Sequence, residues 1–268
     1  MAPSQLEAFF THGDVLCGVP PSQRDAQSGD DSEAPRDELL YLHAAMDAGL
    51  TSLLLQYGFT RARAGRNVVL LLCGDSARPQ QRPVVVPLQP CLRCGVPAKT
   101  GMDNEVWGRI QIKYIKTSAE LQHFACSLHL MRDKSSVLLV DSFERFFIEQ
   151  SLGSVYQTLA LLFEARRYMA TSTGVGEVVL AGDANAFLLR DHPRLHRWCR
   201  FLQISSDGDE LVLHEEIDAE RQDEDEGGEN EDDDEQNDVA IRFEFSPPGS
   251  STPDGSFRLL EVIYRHTE

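Results

Sequence analysis

The 268-residue chain predicts an α/β fold: a mostly parallel sheet with helices on both faces and a C-terminal antiparallel hairpin. Three observations carry this. Apolar runs of strand length stand at Asn67–Cys73 (NVVLLLC) and Ser136–Asp141 (SVLLVD), and unbroken runs of this kind suit central parallel strands covered on both faces. Amphipathic helical patterns alternate with them, the strongest at Ser151–Met169. Beyond these, Arg200–His214 and Val239–Arg265 read as strands of a hairpin or meander.

In chain order, residues 1–13 read as a flexible N-terminus and residues 14–268 as one domain. Asp14–Gly18 (DVLCG) is predicted as the first strand, closed by the turn-forming GVPPSQ. Gln23–Pro35 is polar and poor in large apolar groups, so it reads as a loop or disordered insert. Asp37 opens a helical pattern through Leu39, Leu40, Leu42, Leu50, Leu53, Leu54 and Tyr57. After a Pro-rich connection, Trp107–Ile115 alternates like a half-buried strand. Thr117–Met131 then begins with a Ser/Thr cap and Glu120, and Glu177–Leu180 is a further strand.

Net charge is −18, yet 21 residues, Asp218–Asp238, contribute −12 of it and leave −6 for the rest. That run carries 13 acids and one arginine, so self-repulsion predicts a disordered acidic insert. Overall acidity therefore does not argue against nucleic-acid binding by the folded part. No apolar run approaches the roughly 20 residues that span a bilayer, so no membrane partner is expected. The start, MAPSQLEAFFTHGD, lacks the basic and apolar segments of a secretory signal, which predicts an intracellular protein with cysteines as thiols. Only Cys91 and Cys94 have ligand spacing, and one isolated C-x-x-C is weak evidence for zinc.

A phosphate-binding loop follows the pattern G-x-x-x-x-G-K-[ST] between a strand and a helix. Its glycines admit phosphates to backbone N–H groups, its lysine reaches the terminal phosphates, and its hydroxyl holds Mg²⁺. No continuous stretch satisfies the pattern. With residues 23–48 taken as an insert, Gly18, Val19, Pro20, Pro21 and Ser22 join Gly49, Leu50, Thr51 and Ser52, and the only departure is leucine for lysine. The competing reading is one ordinary helix in which Gly49 and Thr51 have no special role. Asp141, ending SVLLVD, has the place of the second motif, whose carboxylate orients Mg²⁺. Gly18, Ser22, Gly49, Thr51, Ser52 and Asp141 are thus the candidate sites for ATP, with Thr51 and Asp141 the candidates for Mg²⁺.

The run R-I-x-x-x-Y-x-x-T-x-x-E-L at Arg109–Leu121, followed by SVLLVDSFERFF, a long helix and EVVLA, resembles a divergent RecA-like P-loop family. It is similar to the accessory ATPase that partners a SWIM-domain protein in the Shu complex, a helper of recombinases. The resemblance covers about Val15 to Ile204. It implies a nuclear homologous-recombination accessory factor with a SWIM-domain protein and a RecA-family recombinase as partners. Leu50 departs from the family's lysine, which puts ATP turnover in doubt. Arg24 or Arg36 could supply a substitute cation, and Asp75 a water-orienting carboxylate.

Between Arg190 and Phe201 the chain reads RDHPRLHRWCRF. Arg190, Arg194, Arg197 and Arg200 with Trp198 offer the cations and aromatic face that single-stranded DNA binding uses. The competing reading is a packed amphipathic connector. Arg61, Arg63 and Arg66 end a helix, where the dipole alone favours cations. Three functional readings remain open: an accessory factor with weak or absent turnover, a working DNA-dependent ATPase with a substitute cation, and a non-catalytic adaptor.

Overall fold

Among the described residues, nine strands form one sheet whose core is parallel and whose C-terminal part is antiparallel. The computed structural model describes residues 6–12, 15–16, 38–44, 48–74, 85–89, 103–131, 133–147, 151–183, 198–208, 210–216, 238–249 and 253–265. A separate two-stranded ladder pairs β1 (Thr11–His12) with β2 (Val15–Leu16). The main sheet comprises β3 (Leu39–Ala44), β4 (Val68–Cys73), β5 (Ile110–Ile115), β6 (Val137–Val140), β7 (Glu177–Gly182), β8 (Cys199–Asp207), β9 (Glu210–Glu215), β10 (Asp238–Ser246) and β11 (Ser256–Arg265). Their spatial order is β11-β10-β9-β8-β3-β7-β6-β4-β5. From β8 to β5 every pairing is parallel, and from β8 to β11 every pairing is antiparallel.

The four main helices are α1 (Leu50–Arg63), α2 (Asn104–Gly108), α3 (Ser118–Ser127) and α4 (Leu152–Thr173). Strand residues alternate between two cores, which is why β4 and β6 are apolar at every position. On β6, Val137 and Leu139 face α1, while Leu138 and Val140 face α3 and α4. Helices therefore cover both faces, as the alternation of apolar runs requires. The α3 entry is capped as expected: the Thr117 hydroxyl accepts from the Glu120 N–H at 3.2 Å, and the Glu120 carboxylate accepts from the Lys116 N–H at 2.8 Å.

Three expectations are corrected. Residues 39–44, placed by the sequence reading inside a helix and inside an insert at 23–48, form the central strand β3. All six are buried, and a run of six apolar-facing residues cannot be told from helix by periodicity alone. Residues 6–10 are not a flexible terminus: the rings of Phe9 and Phe10 are fully buried, Phe9 against Tyr57 at 4.8 Å and Phe10 against Phe243 at 5.1 Å. Two adjacent aromatics bury more apolar area than the polar flanks can keep in water. Finally, Trp107 belongs to α2 and packs on Phe59, so the strand expected from 107 begins at Ile110.

A buried polar pin ties α1 to the sheet. Glu177 Oε2, at the start of β7, accepts from the Tyr57 hydroxyl at 2.8 Å and lies 2.8 Å from Arg61 Nε. Arg61 thus has an ion pair beyond the dipole effect expected for it. Burial, then the Glu177 charge, holds the Tyr57 phenol well above its ordinary range, so it stays a hydrogen-bond donor.

The turn from α4 into β7 leaves no room for a side chain at Gly176. A Cβ there would lie 2.2 Å from the Arg166 carbonyl oxygen and 2.7 Å from the Ala170 nitrogen, both backbone atoms. Gly176→Ala should cost about 1–3 kcal/mol and lower the thermal midpoint by several degrees. A midpoint equal to that of the unmodified chain would contradict this packing.

Candidate functional site

The site is built where β3 hands the chain to α1. β3 ends at Ala44, Gly49 has φ +69°, and α1 starts at Leu50. Glycine is required there twice over. Its left-handed backbone disfavours other residues, and a Cβ would sit 2.3 Å from the Phe245 ring of β10. The N-cap Gly49 gives no side-chain hydrogen bond to the first turn of α1, the positive end of the helix dipole.

The continuous stretch Ala44 to Thr51, AAMDAGLT, occupies the span between strand and helix that the pattern G-x-x-x-x-G-K-[ST] describes. This corrects the split loop. The strand entering Gly49 is β3, so no segment need be removed, and the departures become two: Ala44 for the first glycine and Leu50 for the lysine. Gly18 and Ser22 lie outside the described residues. Val15 and Leu16 pair with Thr11 and His12, and they belong to a ladder separate from the main sheet.

Thr51 and Asp141 meet. The Thr51 hydroxyl donates to Asp141 Oδ1 at 3.0 Å, across 90 residues of sequence. Asp141 follows β6 directly, is 5% exposed, and has its N–H bonded to the Leu71 carbonyl at 2.9 Å. On its other side the Ser142 hydroxyl donates to Oδ2 at 3.3 Å. Ser142 has φ +52°, an uncommon left-handed conformation for a non-glycine residue. Burial is the main cause that raises the Asp141 pKa to about 6, and the hydroxyls of Thr51 and Ser142 work in the opposite direction.

The residues after Asp141 form a 3-10 turn, Phe143–Phe147. Phe143, Phe146 and Phe147 anchor it in the core, with Phe143 edge-on to Tyr41. Glu144 and Arg145 are left at the carboxyl edge of the sheet. Glu144 Oε2 accepts from the Asp183 N–H at 3.2 Å and stands over Gly182, where a Cβ would lie 2.1 Å from that oxygen. Burial raises the Glu144 pKa. Sequence reasoning missed Ser142, Glu144 and Arg145, although the spacing of phenylalanines in SFERFF marks 144 and 145 as the outward pair.

Among the described residues no three His, Cys, Asp or Glu side chains gather to hold a metal ion. One carboxylate beside one hydroxyl does not make a zinc site, which takes three or four protein ligands. It does fit Mg²⁺, which keeps several waters and is completed by ligand phosphates.

Other expected residues separate. Ser52 is buried, and its hydroxyl accepts from the Val86 N–H at 3.0 Å, so it braces residues 85–89 rather than facing a ligand. Arg190, Arg194 and Arg197 lie outside the described residues, as do Arg24, Arg36, Asp75, Cys91 and Cys94. Trp198 is 39% exposed and stacks on Phe163 at 6.1 Å. Arg200, expected as a DNA contact, is bound to Glu215 across β8 and β9.

No protein-family model and no curated protein sequence matches the chain. Among solved structures, it is similar to the flagellar accessory protein FlaH from Methanocaldococcus jannaschii. The identity is 11%, the match covers 83% of this chain and 90% of that one, and the TM-score is 0.44. No described helix is long and apolar enough to cross a membrane.

The buried carboxyl gives a signed pH dependence. A folded pKa of about 6, above an unfolded value of about 3.9, means the folded chain binds the proton more tightly. Stability therefore falls as pH rises from about 4 to about 6 and stays reduced above that. Asp141→Asn removes the charge while keeping an acceptor for Thr51. It should stabilise the chain at pH 7.5 by on the order of 2 kcal/mol and lose most of that advantage at about pH 4, in thermal melts. An advantage that does not change with pH would contradict the burial of this charge.

Proposed function

We propose that the chain is a RecA-like protein that binds a Mg²⁺–nucleotide at the start of α1 and serves as a DNA-recombination accessory factor, with slow or no ATP turnover. The observation that carries the nucleotide reading is the Thr51–Asp141 hydrogen bond beneath an uncapped helix N-terminus. It lies at the carboxyl ends of parallel strands, where β7 and β8 flank β3 while α1 leads away to β4. Ligands of open α/β sheets bind in such crevices. In this reading the first-turn N–H groups would cradle phosphate, Thr51 would hold the metal, and Asp141 would help orient it. Bound Mg²⁺ would neutralise developing charge on the phosphates. Leu50 supplies no cation, and loss of that electrostatic stabilisation supports binding without efficient hydrolysis.

The recombination role, the SWIM-domain and recombinase partners, single-stranded DNA and the nuclear location rest on the resemblance of Arg109–Leu121 and its following elements. The half-exposed Trp198 supports a stacking surface.

Titration with a fluorescent ATP analogue tests the first part. Binding should require Mg²⁺, vanish with EDTA, and weaken about tenfold or more in Thr51→Ala. Absence of binding would remove the nucleotide reading. Co-expression with a SWIM-domain protein, followed by oligonucleotide titration, tests the second. A stable complex should bind single strands in a salt-sensitive way and lose affinity in Arg197→Ala with Trp198→Ala. Separate elution and no DNA binding would contradict the accessory role.

A further inference from the structure

We infer that Arg145 reads the terminal phosphate of the bound nucleotide and makes the site selective for a nucleoside triphosphate over a diphosphate. The inference rests on the nucleotide reading above. With Leu50 at the lysine position, the first turn of α1 carries no cation, and among the described residues there it offers a phosphate its backbone N–H groups. A metal held by Thr51 and Asp141 would draw the terminal phosphates toward Asp141. Arg145 is the cation on the element that carries Asp141. Its N–H bonds back to the Ser142 carbonyl at 3.0 Å, and the buried phenylalanines at 143, 146 and 147 hold its backbone rigidly at the carboxyl edge.

The Arg145 side chain reaches Glu144, whose carboxylate stands over Gly182 at the end of β7, the strand between β6 and β3. The guanidinium therefore lies at the carboxyl edge beside the ends of β6 and β7. Its side chain is 64% exposed, and the ion pair described for it is loose, with Nε 4.0 Å from Glu144 Oε1. A guanidinium held at the edge by one distant carboxylate is free to turn onto a phosphate, to which it can donate two parallel hydrogen bonds. A loop lysine would touch the last two phosphates alike. A cation beyond the metal touches only the last.

Competition of ATP and ADP against the fluorescent analogue, with Mg²⁺ present, tests this. The unmodified chain should prefer ATP by about tenfold or more. Arg145→Gln should erase that preference, leave ADP affinity within about twofold, and keep the thermal midpoint, since the side chain is mostly in water. Adding Leu50→Lys to Arg145→Gln should strengthen both nucleotides without restoring the preference. Equal loss of ATP and ADP in Arg145→Gln, an unchanged preference, or a preference restored by Leu50→Lys would each overturn the assignment to Arg145. An unmodified chain that binds neither nucleotide would instead overturn the underlying reading, and this inference with it.

Discussion

One hydrogen bond, from the Thr51 hydroxyl to the Asp141 carboxylate, joins the two elements on which the site depends. Thr51 is placed by Gly49, whose left-handed backbone ends the connection from β3 and starts α1. Asp141 is placed by β6, two strands away, and by the Leu71 carbonyl on β4. Helix start and strand end must therefore be in register across the sheet before the pair can form. The Tyr57–Glu177–Arg61 pin at the other end of α1 fixes that register from below.

This arrangement concentrates an electrostatic problem. A carboxylate with 5% exposure is costly to ionise, and two hydroxyls offset only part of that cost. In an ordinary phosphate loop a lysine would contribute a nearby charge, but Leu50 is apolar. The remedies available to this chain are a proton on Asp141, a divalent ion beside it, or the field of Arg145 at the edge. In the proposed function these would be alternatives of one charge balance.

Much of the fold was legible in the sequence because burial on both faces leaves uninterrupted apolar runs. NVVLLLC and SVLLVD became β4 and β6, while the long helix was legible from its amphipathic pattern and the C-terminal strands from their alternation. Thr51 and Asp141, singled out from the sequence by their residue types, do meet in a hydrogen bond. What was not legible was β3. LLYLHA merges into the helical pattern of α1, and only the neighbours β7 and β8 decide that it is strand. That single ambiguity moved the loop's first half to Gly18 and created an insert the chain does not need. Ser52 illustrates a different limit, because its partner, the Val86 N–H, comes from a segment that carries no motif. The phenylalanine anchors that expose Glu144 and Arg145 were present in the sequence, but their meaning depends on the turn after Asp141 being 3-10.

The most direct measurement is a crystal structure of the chain with Mg²⁺ and a non-hydrolysable ATP analogue. The account predicts the metal about 2.0–2.1 Å from Thr51 Oγ1, with Asp141 reached through a coordinated water and the phosphates at the first turn of α1. A structure grown with saturating ligand in which Thr51 still donates to Asp141, with no metal or phosphate at the start of α1, would contradict it.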